Sequence, residues 1–322
     1  MRQDHNSESG PKRTHARPHQ SVFCQTKFKP RQPTWRKRII PTALGQYRPD
    51  CTMDDGLLGA FMTESPSPVL KFENLTLGYN HHPAVHHLQG EISKGSLLAV
   101  VGPNGAGKSS LLKGITGELK PMQGKIYYPG LPRKNIAYLP QQSSLDTSFP
   151  IGIRDFVAMG LWRQLGAFRG IDKKSAQRLE QAIETTGLSG LEDRPIGQIS
   201  GGQLQRARFA QVMLQDSPLV LLDEPFAAID DNTVRDLTML IKHWNHEGRT
   251  IISVLHDLAY VRQEYPQTLI LAREVVAHGE TDNVLTEENL ARARQKTAPP
   301  QGRPKLAVCR TDDNISGEHG DR

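Results

Sequence analysis

The stretch "SLLAVVGPNGAGKSSLLKGITGEL", residues 96–119, leaves few folds open. An apolar run of β-forming residues meets a Gly-rich turn, which meets a run with helical spacing. The turn reads Gly102-x-x-x-x-Gly107-Lys108-Ser109, the P-loop pattern, and it sits in the strand-then-helix context that such a match requires. The backbone from Gly102 through Pro103, Asn104, Gly105 and Ala106 to Gly107 can wrap phosphates at a positive helix end, with Ser110 in the first turn. Lys108 reaches β/γ oxygens and the Ser109 hydroxyl suits Mg²⁺. The chain is therefore expected to bind a nucleotide.

Further apolar runs repeat at intervals: "NIAYLP" (135–140), "LVLLD" (219–223), "TIISVLH" (250–256) and "TLILA" (268–272). Their length and branching suit buried parallel strands. Helical patterns separate most of them, Asn232–His246 among these, so the alternation predicts an α/β, doubly wound sheet. Residues 150–195 interrupt it. Val157, Leu161, Leu165 and Phe168 recur at helical spacing and Lys173–Thr186 reads as a helix, which predicts a separate helical lobe.

In such sheets ligands gather at the carboxyl ends of strands. "LVLLDEP" ends on Asp223 and Glu224, and strand alternation would send them to opposite sides. Asp223 then suits the Mg²⁺ side and Glu224 the attacking water. His256 closes "TIISVLH" at the same edge as a donor to a γ-phosphate, and Gln141 follows "NIAYLP". Tyr79, in "LTLGYN", could stack on a base or serve as an ordinary strand tyrosine. His81, His82, His86 and His87 suggest a metal site, but no carboxylate or Cys joins them locally and the stretch reads as a turn. A second phosphate-type turn, Ser200-Gly201-Gly202-Gln203, opens another helical run with no evident use for it in a single chain.

Charge and cysteines narrow the class. The net charge of +6 resides in residues 1–61, with 11 Lys+Arg against 5 Asp+Glu; the remainder balances at 29 of each. Cys24, Cys51 and Cys309 form no metal spacing, which suggests a reducing compartment. No apolar run approaches the roughly 18 residues of a membrane helix. The expectation is a cytosolic chain that meets a membrane through a partner or its tail. Residues 1–66 and 298–322 read as disordered tails flanking one domain, 67–297.

Over residues 68–295 the chain resembles the ATP-binding subunits of ABC transporters. Walker A "GPNGAGKS", the Q-loop Gln141, the signature "SGGQ" at 200–203, Walker B "LVLLDE" and the switch His256 occur in that family's order. The resemblance implies a P-loop NTPase (RecA-like) core with a mixed, mainly parallel sheet and an inserted helical subdomain at about 150–195. It also implies ATP hydrolysis with Mg²⁺ held by Ser109, Asp223 and Gln141, and Glu224, His256, Lys108 and Gln141 as catalytic groups. Two subunits would face head to tail, each signature turn completing the partner's ATP site, with D-loop Asp230 beside it. Tyr79 takes the adenine-stacking position. The helical lobe would offer a groove to a coupling helix of a membrane permease, with Gln141 linking groove and γ-phosphate.

"YLPQQSSLDTSFPIGIRDFVAMG", "DEPFAAID" and "AHGETDNVLTEENL" resemble the zinc/manganese importer branch, and most of all its zinc ATPases. Ile199 stands where Leu is usual, and "AAID" where "SALD" is commoner. That branch implies a periplasmic metal-binding protein acting through the complex, and a place at the cytoplasmic face of the inner membrane. No nucleic-acid partner is expected. The alternatives are a manganese or iron-chelate importer, an ABC-type ATPase of DNA repair or translation, and a binding-only regulator.

Overall fold

The computed structural model describes residues 67–141, 147–166 and 170–297. Both terminal tails and Phe168 lie outside the described residues. Strands β3 (Leu97–Val101), β5 (Ile136–Leu139), β6 (Leu219–Asp223), β7 (Thr250–Val254) and β8 (Gln267–Ala272) pair in parallel. With β9 (Glu274–Glu280), antiparallel to β8, they form one sheet in the order β5-β6-β7-β3-β8-β9. The α/β core with a mainly parallel sheet agrees with the sequence reading.

The apolar runs are continuous because each strand is covered on both faces. Along β3, Leu98 and Val100 face one cluster while Leu97, Ala99 and Val101 face another. Along β6 the same split separates Leu219 and Leu221 from Val220 and Leu222. The first face is closed by α1 (Lys108–Thr116), through Leu111, Leu112 and Ile115, and by a small antiparallel sheet. That sheet joins β1 (Pro68–Tyr79), β2 (His82–Ser93) and β4 (Pro121–Tyr127) in the order β2-β1-β4. The second face is closed mainly by α6 (Asp231–His246), through Leu237, Leu240, Ile241 and Trp244.

β1 and β2 correct one expectation. The histidine stretch is a turn only at Asn80 and His81, whose φ of 48° and 64° make a tight two-residue hairpin loop. His82, His86 and His87 lie on β2 itself, and the His87 Nδ1 pairs with Asn74 Oδ1 at 2.7 Å.

A third cluster is helical. It packs Ile153, Phe156 and Val157 of α2 (Ile153–Ala158) and Leu161 against Leu179 and Ile183 of α4 (Lys173–Thr185). Between them runs a short α3 (Trp162–Leu165). The cluster continues beyond residue 195 into α5 (Gly201–Gln215), which contributes Leu204, Ala207, Ala210 and Leu214. The opposite side of α5 sends Phe209 and Val212 into the sheet's second face. The helix is therefore buried on two sides. The chain ends its described part through α7 (Leu258–Glu264), α8 (Thr281–Val284) and α9 (Glu287–Thr297).

Phe209 stacks on Trp244 at 5.9 Å between centroids, joining α5 to α6 under the sheet. Trp244→Ala is expected to lower unfolding stability by about 3–5 kcal/mol in urea denaturation, through lost burial and an unfilled cavity. A loss below about 1 kcal/mol would mean that this contact is not central to the core.

Candidate functional site

The P-loop wraps tightly because two glycines make room for other backbone. At Gly102, φ is 151° and a Cβ would lie 1.9 Å from the Leu271 carbonyl oxygen. At Gly107, φ is 92° and a Cβ would lie 2.5 Å from the Ala84 carbonyl oxygen on β2. Gly107 caps α1 with no side-chain acceptor, so the first N–H groups of the helix point into the loop with a positive helix end behind them. Pro103, Asn104, Gly105 and Ala106 form the bend, closed by Ala106 N–H donating to Pro103 O at 3.2 Å. Ser110 follows in the first turn of α1.

Lys108 folds back into this bend. Its Nζ donates to the carbonyls of Gly102 (2.9 Å) and Pro103 (3.0 Å). Burial lowers its pKa from the usual lysine value, an effect opposed by the charges of Glu224 and Asp223. Those carbonyls hold the ammonium where an anionic polyphosphate would compete for it.

Asp223 ends β6 at 2% exposure, yet its carboxylate is not bare. Ser109 Oγ donates to Oδ1 at 3.1 Å and Tyr138 Oη to Oδ2 at 3.4 Å. Burial raises its pKa above the carboxylate norm, the Ser109 hydrogen bond opposes the shift, and the neighbouring Glu224 adds to it. Ser109 and Asp223 together present hard oxygens of the kind Mg²⁺ takes.

Glu224 is placed differently from the expectation of simple strand alternation. β6 ends at Asp223, and Glu224 has a φ of 50°, a left-handed conformation that costs on the order of 1 kcal/mol. Its N–H still donates to Val254 O on β7 at 3.2 Å. The bend turns the carboxylate into the site, where His256 Nε2 approaches Oε1 at 2.6 Å and Gln141 Nε2 donates to Oε2 at 2.7 Å. His256 lies two residues past the end of β7 and Gln141 two past β5. Three adjacent strand ends thus deliver one polar triad.

The structure brings Lys108, Ser109, Gln141, Asp223, Glu224 and His256 to one edge of the sheet. Tyr79 ends β1 as a residue 47% exposed, open to a stacking partner. Ser200–Gln203 stand apart. Ser200 Oγ accepts from Gln203 N–H (3.2 Å) while Gln203 Oε1 accepts from Ser200 N–H (3.0 Å), a capping box that opens α5. Among the described residues, no hydrogen bond joins this turn to the P-loop. It borders Asp230 instead: a Cβ on Gly202 would lie 3.3 Å from Asp230 Oδ2, and Gly201 precedes it at the surface. Asp230 caps α6 by accepting from Thr233 N–H and Oγ, which lowers its pKa.

Three contributors escaped the sequence reading. Tyr138 sits inside an apolar run, and Gln205 and Arg208 lie on a helix with no polar face to mark them. Gln205 Nε2 donates to Pro225 O at 2.6 Å, and Arg208 donates to Gln205 Oε1 at 3.0 Å and to Pro140 O.

Residues 85–227 match the family model described as "ABC transporter". The manganese transport system ATP-binding protein MntB of Listeria monocytogenes is 37% identical over 69% of this chain and 94% of its own length. The zinc transport system ATP-binding protein TroB of Treponema pallidum is 37% identical over 70% of this chain and 86% of its own. Among solved structures, a chain of an inward-facing ABC transporter superposes with a TM-score of 0.64 at 30% identity, over 71% of this chain and 90% of that one. On the family match, the extent of these likenesses and the assembled site, the chain belongs to the ABC transporter family, as one of its ATP-binding, ATP-hydrolysing subunits.

Proposed function

We propose that this subunit energises uptake of a metal ion, zinc first among the candidates, through a separate membrane permease. It would work as a homodimer at the cytoplasmic face of the inner membrane, with a periplasmic metal-binding protein delivering the ion. The observation that carries the hydrolytic part is the convergence of Gln141, Glu224 and His256 on one point beside Asp223 and Ser109.

Each Glu224 oxygen holds one partner and keeps a further lone pair, so the carboxylate can accept a water proton without releasing either neighbour. His256 and Gln141 fix its direction. Lys108 would exchange two carbonyls for phosphate oxygens when nucleotide enters, and α1 would add its N-terminal N–H groups. Mg²⁺, bound with the nucleotide, supplies charge neutralisation on the transferred phosphate; Ser109 and Asp223 would hold it, with Gln141 close by. Tyr79 would stack on adenine.

Support for the dimer comes from the isolation of the signature turn. Ser200–Gln203 form a preorganised helix N-terminus, with Ser200 and Gly201 exposed and, among the described residues, no hydrogen bond to their own P-loop. Beside Glu224 and His256 a cavity of about 390 Å³, lined by Phe226, Ile229, Val234 and Tyr260, opens next to the D-loop, where a second copy would close it. The metal assignment rests on relatives. Zinc and manganese systems are named at the same 37% identity, so manganese is the second reading.

Glu224→Gln keeps the shape but removes the base. Turnover should fall by about 10²–10³ or more with ATP affinity retained, measured by phosphate release and nucleotide binding. Normal turnover in that variant would refute the assignment. Lys108→Ala and Ser200→Arg chains should each be inactive alone, yet regain hydrolysis when mixed, since one composite site in the mixed dimer is whole. Inactivity of the mixture, with the mixed dimer demonstrated, would sink the shared-site reading. For the cargo, a host lacking this chain should recover growth on added zinc; recovery on manganese alone would transfer the assignment to manganese.

A further inference from the structure

Deep in α5, between its two apolar sides, lie a glutamine at 1% exposure and an arginine at 4%, Gln205 and Arg208. Neither touches the site directly. Burying a guanidinium costs several kcal/mol unless its protons are satisfied, and burial here pulls the Arg208 pKa down to about 10. Among the described residues, the hydrogen bonds of Arg208 run to neutral oxygens, Gln205 Oε1 and the Pro140 carbonyl. Gln205 spends its remaining polar end on the Pro225 carbonyl at 2.6 Å.

The two carbonyls are not arbitrary ones. Pro140 immediately precedes Gln141, and Pro225 immediately follows Glu224. They flank the ends of β5 and β6, neighbouring parallel strands in which Leu139 pairs with Leu222. On the site side, Gln141 and Glu224 close the same gap through their own hydrogen bond at 2.7 Å. The result is a ring: Arg208, Pro140, Gln141, Glu224, Pro225, Gln205 and back to Arg208. Prolines suit it, because each has a carbonyl to give, lacks an N–H and fixes φ beside a reacting residue.

We propose that Gln205 and Arg208 are positioning residues: they grip the peptides next to Gln141 and Glu224 and tie the setting of the hydrolytic pair to the position of α5. This rests on the reading of Glu224 as the base. Because α5 also forms one wall of the helical cluster, displacement of that cluster pulls on both carbonyls at once. The ring transmits it to the Gln141–Glu224 contact.

The test uses the full chain and compares Arg208→Leu, Gln205→Leu and Arg208→Lys with the parent by steady-state ATP hydrolysis, ATP binding and thermal melting. Arg208→Leu should lower kcat by about 10- to 100-fold, the scale set by small misplacements of reacting groups. KM and ATP affinity should stay within about twofold, and the melting temperature should fall by no more than a few degrees, because a buried charge is removed while the Gln205 and Pro140 oxygens each lose a donor. Arg208→Lys, which keeps a donor for Pro140, should restore part of kcat. Combining Arg208→Leu with Gln141→Ala should lose less than the product of the single losses, because both open one ring.

Parent-level kcat in both leucine variants overturns the proposal. So does a fall in kcat that comes with lost ATP binding and a collapsed melting transition, or one that Arg208→Lys does not relieve, for then the pair only supports the fold. The base assignment fails separately: an active Glu224→Gln chain refutes that reading, whereas an inactive one beside a fully active Arg208→Leu chain refutes only the clamp.

Discussion

A carboxylate at the closed end of an all-apolar strand is expensive to keep charged, and Asp223 is placed there by the requirement that β6 be covered on both faces. The expense is met locally. Ser109 reaches it from the first turn of α1 and Tyr138 from β5, while its own charge, with that of Glu224, favours the ammonium of Lys108 against burial. That arrangement fixes where α1 starts relative to the sheet, and hence where the Gly102–Gly107 bend must pass. The close approaches of Gly102 to Leu271 and of Gly107 to Ala84 follow from it. Site and core are the same construction problem here.

A second constraint is the left-handed turn at Glu224. A strand that continued straight would carry this carboxylate to the face opposite Asp223, away from His256. The positive φ redirects it while its N–H keeps a bond to β7. The strain is modest and is supported on either side: by Val254 O and by the Gln205 contact on the next peptide. Backbone strain held in this way is a familiar mark of a reacting position.

The parallel strands were legible because double burial turns each one into an unbroken apolar run, as in "LVLLD". β1 was not, since register shifts around Asn74 break its alternation, and β4 was not, since "PMQGKIY" is almost wholly exposed. The P-loop, Asp223, Glu224 and Ser200–Gln203 announced themselves through residue type and order. Gln205 and Arg208 could not. Their meaning depends on α5 being buried on two sides, and a helix without a wet face gives a buried polar residue no pattern to violate. The bend at Glu224 was equally hidden, because nothing in "LLDEP" distinguishes a strand that ends at the aspartate from one that runs on.

The same two-sided burial of α5 has a mechanical corollary. At 15 residues the helix is about 22 Å long, gripped near its middle by two strand-end carbonyls and carrying the capped Ser200 turn at one tip. On the proposed clamp it is a lever with its fulcrum beside the Gln141–Glu224 contact. A tilt of about 10° at that fulcrum sweeps the tip by roughly 1–2 Å, given the helical rise per residue. On the proposed clamp, the turn offered outward and the carboxylate kept within would be adjusted together.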